Sequence, residues 1–316
     1  MPERSREWEA LEQGAAFKDN IAALEELHLN MRLIHEVTEP DTGVEILGKK
    51  LSLPLFAAPI GGVSFNMGGK ISEQEYVKAI LQGCKEAGII GCTGDGVPEF
   101  VFKTALEEIK AVQGEGIPFI KPWEGDELFE KIERAKTCGT HIMGMDIDAA
   151  GLITLRKMGR PVSPKGVDEL GQIIKKSGMK FIVKGIMTVS DARAAVYAGA
   201  DAIVVSNHGG RVMEYTPGTA RVLPQIARAV GQDICVLADG GVRTGGDILK
   251  MLALGADAVM IGRPFSVAAM GGLKKGVTTF IETVKSELIQ AMVLTGTRRA
   301  DQVDPSILFK ACSSLD

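Results

Sequence analysis

The chain has 316 residues, with 36 Lys and Arg against 40 Asp and Glu, so its formal net charge is −4; a mildly acidic chain without a basic block is a poor nucleic-acid binder. No run of ~18 uncharged apolar residues occurs, which excludes a membrane-spanning helix, and the opening MPERSREWEALEQ is too charged for a secretory signal, so the cytoplasm is expected. Glycine is in surplus at 38, aromatics are scarce at 11 Phe, 2 Trp and 3 Tyr, and the five cysteines and four histidines show no metal-ligand spacing and no disulfide framework.

Residues 1–50 read as helical pieces followed by a short hairpin around VEILGKKLSLP. From 51 onward, short apolar runs alternate with amphipathic stretches. Strands are predicted at 53–58, 89–93, 118–121, 142–148, 180–184, 202–206, 234–238 and 258–261, each apolar enough to be buried on both faces. Helices are predicted at 72–87, 98–112, 126–138, 167–177, 190–198, 219–230, 246–254 and 277–294. The first opens on Ser72 with Glu75 three residues later, the pattern of a capping box. The second opens on Pro98, whose missing N–H costs nothing in a first turn. Eight strand–helix units imply parallel pairing and a closed α/β (β/α)8 TIM barrel, with a doubly wound open sheet as the other arrangement. The near-repeat of AGADAIVVS at 198–206 and LGADAVMIG at 254–262 supports the barrel. The division expected is an extension over 1–50, a barrel over 51–296 and a tail over 297–316.

Function in such a barrel collects at the C-terminal ends of the strands. Those ends carry Ala58-Pro59-Ile60-Gly61, Thr93, Lys121, Asp146, Asp148, Lys184, Ser206 through Arg211, Asp239-Gly240-Gly241, Arg243 and Gly262-Arg263. In ADGGVRTGGD and IGRP, glycines let backbone N–H groups approach an anion, and Arg243 and Arg263 add charge-assisted bonds, so a phosphate site is expected there. His208 is placed to accept a substrate proton, with Arg211 three residues on to hold a carboxylate. Asp148 either orients that imidazole or is a solvated strand-end carboxylate. Lys184, ending the apolar run FIVKG, needs an anionic partner. A reduced flavin and a Schiff-base carbonyl are both open to it.

The segments 184–211, 238–264 and 276–296, with SNHGGR at 206–211, resemble the FMN-dependent 2-hydroxy-acid oxidase/dehydrogenase family, and weaker likeness reaches 41–62 and GAAFKDNIAAL at 14–24. The resemblance implies FMN as cofactor, oxidation of a 2-hydroxy acid to a 2-oxo acid, a small anionic organic substrate, and a homo-oligomer, tetramer or octamer. It implies that Lys184 meets the flavin N1 side, that Ser206 binds the isoalloxazine, and that His208 is the base with Asp148 behind it. Arg211 binds the substrate carboxylate. Asp239, Gly240, Gly241, Arg243, Gly262 and Arg263 hold ribityl and phosphate, residues 58–61 lie near N5, and Thr93 matches a serine that contacts the ring. Lys121 and Asp146 belong to the same cofactor-binding set, although each departs from the family residue.

Other departures concern the substrate. A family tyrosine before the N-terminal Gly-Ala aligns with Ala10, and a second, in a Gln-Leu-Tyr triplet, aligns with Trp123 of Lys121-Pro122-Trp123. Asp146 replaces a threonine, and the arginine-rich loop that follows becomes AAGLITLRKMGRPVSP. The sequence therefore leaves room for an FMN barrel of another substrate class, or for a flavin-binding protein with little hydroxy-acid turnover.

Overall fold

The computed structural model describes residues 14–160 and 162–309. Eight short strands close into a parallel barrel in the order β10-β3-β4-β5-β6-β7-β8-β9. They are β3 (Leu55–Ala57), β4 (Ile90–Thr93), β5 (Gly116–Ile120), β6 (Ile142–Asp146), β7 (Lys180–Ile186), β8 (Ala202–Val205), β9 (Cys235–Ala238) and β10 (Ala258–Ile261). Nearly every residue in them is buried, as expected for strands with side chains on one face and helices on the other. Phe56, Phe119 and Phe181 are fully buried among them. Gly144 in β6 is dictated by Phe119 in β5: a Cβ there would stand 2.2 Å from the phenyl ring.

The barrel helices are α3 (Glu73–Glu86), α4 (Glu99–Ala111), α5 (Asp126–Lys136), α7 (Val167–Ser177), α8 (Val189–Tyr197), α9 (Thr219–Val230), α10 (Gly245–Ala253) and α11 (Arg263–Thr295). Short helices α2 (Val63–Asn66) and α6 (Ile153–Lys157) sit in the loops after β3 and β6, and α1 (Ala15–Glu25) precedes the barrel. Ser72 and Glu75 do form a capping box at α3, and Thr244 with Asp247 forms another at α10.

Several boundaries differ from the sequence reading; β7 runs on past Lys184 to Ile186, and three others follow from local geometry. The strand expected over 142–148 stops at Asp146, and Ile147–Gly151 form a 3-10 turn that carries Asp148 across to the next strand end. β5 begins two residues before Pro118, because a missing N–H does not prevent a residue from lying in the ladder opposite Thr93. The last helix begins at Arg263, with Pro264 in its first turn, and breaks at Gly272 and Leu273 before continuing.

The antiparallel hairpin of β1 (Val44–Ile46) and β2 (Lys49–Leu51) lies at the N-terminal end of the barrel, where Lys180 at the start of β7 donates to the Leu47 carbonyl. α1 reaches the opposite end. Glu214, in the loop after β8, accepts from the Gly14 and Ala15 amides at 3.0 and 2.9 Å and so caps the positive end of α1. Asn20 of α1 is buried and pairs through its amide with Asn207 at 2.8 Å. Among the described residues, no helix is long and apolar enough to cross a membrane.

Candidate active site

A cleft opens at the C-terminal mouth of the barrel. Its wall is formed by Ala58, Pro59, Ile60 and Gly61 after β3, Lys184 of β7, and His208 and Arg211 after β8. Asp239, Gly240, Gly241 and Arg243 after β9, with Gly262 and Arg263 after β10, complete it. The other predicted positions, Thr93, Lys121, Asp146, Asp148 and Ser206, do not line this cleft. Four of them form a buried or nearly buried polar layer directly behind it, while Lys121 is half-buried at the end of β5.

Apart from Thr93, that layer is connected to the cleft's own polar groups. His208 Nδ1 lies 2.9 Å from Asp148 Oδ1, with both side chains largely enclosed. Burial works against the Asp148 carboxylate, but the nearby His208 and Lys184 outweigh it and hold its pKa below the ordinary value. Lys184 Nζ is 3.1 Å from Asp146 Oδ1 and 3.7 Å from Asp239 Oδ2. Burial alone would neutralise this lysine, yet Asp146, Asp239 and Asp148 together raise its pKa and keep it an ammonium. Asp239 is pushed up by burial. Ser206 donates to Asp239 Oδ2 at 2.9 Å and accepts the His208 amide at 3.1 Å, which fixes the turn into SNHGGR. That turn is tight: His208, Gly209 and Gly210 all have positive φ, at 57, 64 and 79°. A non-glycine residue held there is strained, and such strain collects where a side chain must be aimed.

The oxygen atoms of Asp146 and Asp148 and a ring nitrogen of His208 lie within 4.8 Å of one another, a spacing that could suit a metal ion. The Lys184 ammonium already fills the cationic place beside Asp146, and His208 is hydrogen-bonded to Asp148. The cluster is thus a carboxylate–imidazole pair beside a buried carboxylate–ammonium pair.

The other end of the cleft is cationic. Arg263 is pulled down to about 10 by burial and by the charges of Arg211 and Arg243 beside it. Arg243 and Arg263, gathered at a partly buried rim, match a doubly charged anion such as a phosphate. The glycines here also serve packing: a Cβ on Gly241 would stand 2.3 Å from the Asn20 carbonyl oxygen of α1. The middle of the cleft is apolar, with Met260, Ile261 and the Ala58–Ile60 backbone along it. Buried oxygens beside it or in the layer behind it, Thr93 Oγ1, Asp148 Oδ2 and Asp239 Oδ1 among them, have no hydrogen-bond partner among the described residues. A cationic rim, apolar side chains beside it and an orphaned polar floor next to an ammonium fit FMN: Arg243 and Arg263 would hold its phosphate and Lys184 its ring.

The structure also supplies residues that sequence reasoning passed over. Phe17 of α1 lines the cleft, with Arg263 stacked over its ring at 4.2 Å. Glu73 of α3 is buried and accepts the Gly62 amide at 2.8 Å, bracing the segment after β3. Asp95, after β4, accepts from Trp123 Nε1 at 2.6 Å and from Lys131 Nζ at 2.8 Å. Trp123 is thus buried at 1% exposure and turned away from the cleft. Ala10, the other aligned tyrosine position, lies outside the described residues. GAAFKDN was the available signal for Phe17 and Asn20; nothing local marked Asp95.

Comparison with known proteins follows the same lines. The FMN-dependent dehydrogenase family profile matches residues 8–166 and 154–310. An L-lactate oxidase of Lacticaseibacillus rhamnosus (strain LMS2-1) is 33% identical over 324 residues, covering 91% of this chain and 84% of that one. Among solved structures, lactate oxidase of Pediococcus acidilactici superposes with a TM-score of 0.81 at 26% identity, covering 96% of this chain and 89% of that one. A mandelate oxidase mutant carrying a C4a-OH-FMN adduct gives 0.80 at 27% identity, over 98% and 95%. With matches that run through both halves of the barrel, this chain belongs to the FMN-dependent dehydrogenase family.

Proposed function

We propose that this protein oxidises a small anionic 2-hydroxy acid to the corresponding 2-oxo acid. The observation that carries the proposal is the His208–Asp148 pair at 2.9 Å, with Arg211 three residues on in the same cleft. FMN, when bound, supplies the two-electron acceptor. Asp148 fixes His208 through Nδ1, which leaves Nε2 as the ring nitrogen that takes the substrate proton. Once charged, the imidazolium is stabilised by the buried carboxylate behind it. Arg211 holds the substrate carboxylate, and Lys184 holds the negative charge that gathers on the cofactor. Thr93 and Ser206 support the ring from behind the cleft, Asp146 and Lys121 belong to the surrounding polar set, and Arg243, Arg263, Asp239, Gly240, Gly241 and Gly262 hold ribityl and phosphate.

One observation favours a second reading, an FMN barrel of another substrate class. Trp123 stands at an aligned substrate-tyrosine position, yet its N–H is committed to Asp95. The same proposal places the protein in the cytoplasm as a homo-oligomer, tetramer or octamer. Self-association is supported by Met31, Leu33 and Ile34, which lie exposed in succession on one short segment.

The test is anaerobic mixing of the FMN-loaded protein with L-lactate, glycolate, mandelate and longer 2-hydroxy acids. At least one should bleach the flavin, and His208→Ala should bind FMN normally yet lose that bleaching by at least ~100-fold, the scale of a lost general base. If none of the acids bleaches the flavin, 2-hydroxy-acid oxidation is wrong.

A further inference from the structure

Asp146 is the cross-strand partner of Lys184 in the register of β6 on β7. Both side chains are buried, at 6% and 5% exposure, and the carboxylate Oδ1 stands 3.1 Å from the ammonium. The contact is a buried ion pair, and among the described residues this oxygen has no other donor. Asp239 stands 3.7 Å from the same ammonium on another side, and Asp148 also acts on it. Three carboxylates therefore share one lysine and one histidine. The cluster carries an excess of one negative charge if His208 is protonated and of two if it is neutral.

Such an arrangement is costly unless the charge balance itself matters, because a buried carboxylate must be compensated by its neighbours. Uptake of two electrons and one proton leaves an isoalloxazine with one negative charge, on the N1 side and the C2 oxygen. That charge and Asp146 then draw on the same cation. We propose that Asp146 is a positioning residue that lowers the reduction potential of bound FMN by occupying Lys184. This rests on the reading, given above, in which Lys184 meets the N1 side of the flavin. Asp146 itself lies behind the cleft and acts through the lysine. Without it, the full field of the ammonium would favour the reduced form.

The experiment compares the FMN-loaded wild type with Asp146→Asn, nearly isosteric, and with Asp146→Thr, the residue implied by the family at this strand end. Midpoint potentials are read anaerobically against a reference dye, with electrons from xanthine and xanthine oxidase. Both variants should shift to more positive potential. The expected gain is roughly ten-fold or more in binding of reduced relative to oxidised FMN, about 30 mV for a two-electron couple. An unchanged or more negative potential in a variant that holds FMN overturns the inference. Loss of FMN from both variants overturns it too, since Asp146 would then be needed simply to build the pocket. The electrons do not come from a hydroxy acid. The shift is therefore read even if the substrate panel fails, and the two readings fall separately.

Discussion

Lys131→Met is the substitution whose cost follows most directly from the coordinates. Lys131, in the middle of α5, places its ammonium 2.8 Å from Asp95 Oδ1, with 5% and 0% of the two side chains exposed. It also lies over the Phe102 and Trp123 rings, at 4.6 and 5.2 Å. At an effective dielectric of about 20, charges at this distance attract by roughly 6 kcal/mol. Part of that only offsets what it cost to bury the ammonium, and measured losses on breaking a buried pair are about 3–5 kcal/mol. Asp95 would keep three N–H donors, from Gly96 at 2.8 Å, Lys121 at 3.3 Å and Trp123 at 2.6 Å. These hold the stranded carboxylate and bring the expected loss to the low end, about 3 kcal/mol.

The assay is urea unfolding at fixed excess FMN, followed by far-ultraviolet circular dichroism, with the midpoint compared at equal slope. Adding Asp95→Asn to Lys131→Met should recover at least ~1 kcal/mol, because the uncompensated charge goes with it. A loss below ~1 kcal/mol, or a double variant less stable than Lys131→Met alone, would refute the argument. Either result would mean that Asp95 is held by its N–H donors and that the ammonium adds nothing to the indole's anchorage.

Two further outcomes are expected at the cleft. Gly185 has φ 108°, and a Cβ there would lie 2.7 Å from the Asp148 Cβ; Gly185→Ala should cost roughly 2 kcal/mol or more in the same urea assay and lower turnover at least ~10-fold by displacing Asp148 from His208. Arg263→Gln should weaken FMN by roughly 10- to 100-fold in fluorescence titration, the worth of a charge-assisted bond, and should abolish any rise in melting temperature that inorganic phosphate gives the apoprotein; equal phosphate stabilisation in wild type and variant would place the anion elsewhere.

What the sequence disclosed divides along a physical line. Strand ends are local features: an apolar run stops, a polar residue follows, and the register of a closed barrel brings each end to one mouth. Ser206, Asp239, Gly262 and Arg263 were legible for that reason, whereas Lys184 lies two residues before the end of its strand. Asp148 was legible as a partner of His208 but not as a turn residue, because no periodicity distinguishes the last two residues of a strand from a 3-10 turn. α1 falls among the helical pieces read over 1–50 without bounds, and its seat over the mouth depends on Gly14 with Glu214 and on Asn20 with Asn207, pairs nearly two hundred residues apart. Contacts of that separation leave no pattern in a single chain.

The scarcity of aromatics takes its meaning from the same distinction. Tyr76 is buried against Ser266, while Tyr197 and Tyr215 are exposed, so none of the three lines the cleft. Trp123, which aligned with a substrate tyrosine, is anchored by Asp95, and Asp95 is balanced by Lys131. A tyrosine at 123 would surrender that N–H donor, and a carboxylate there would face Asp95 as a like charge. The position is therefore fixed by packing against α5 rather than by the substrate. On the proposed reading, the cationic and proton-handling groups stay where the barrel's register puts them, and the carboxylate of a substrate is left to Arg211. The substrate's side chain then meets the rim, where Ile60 and Met67 of the segment after β3 line the cleft. Hydroxy acids with an apolar side chain should therefore bleach the flavin faster than glycolate in the anaerobic panel, and equal rates would refute that placement.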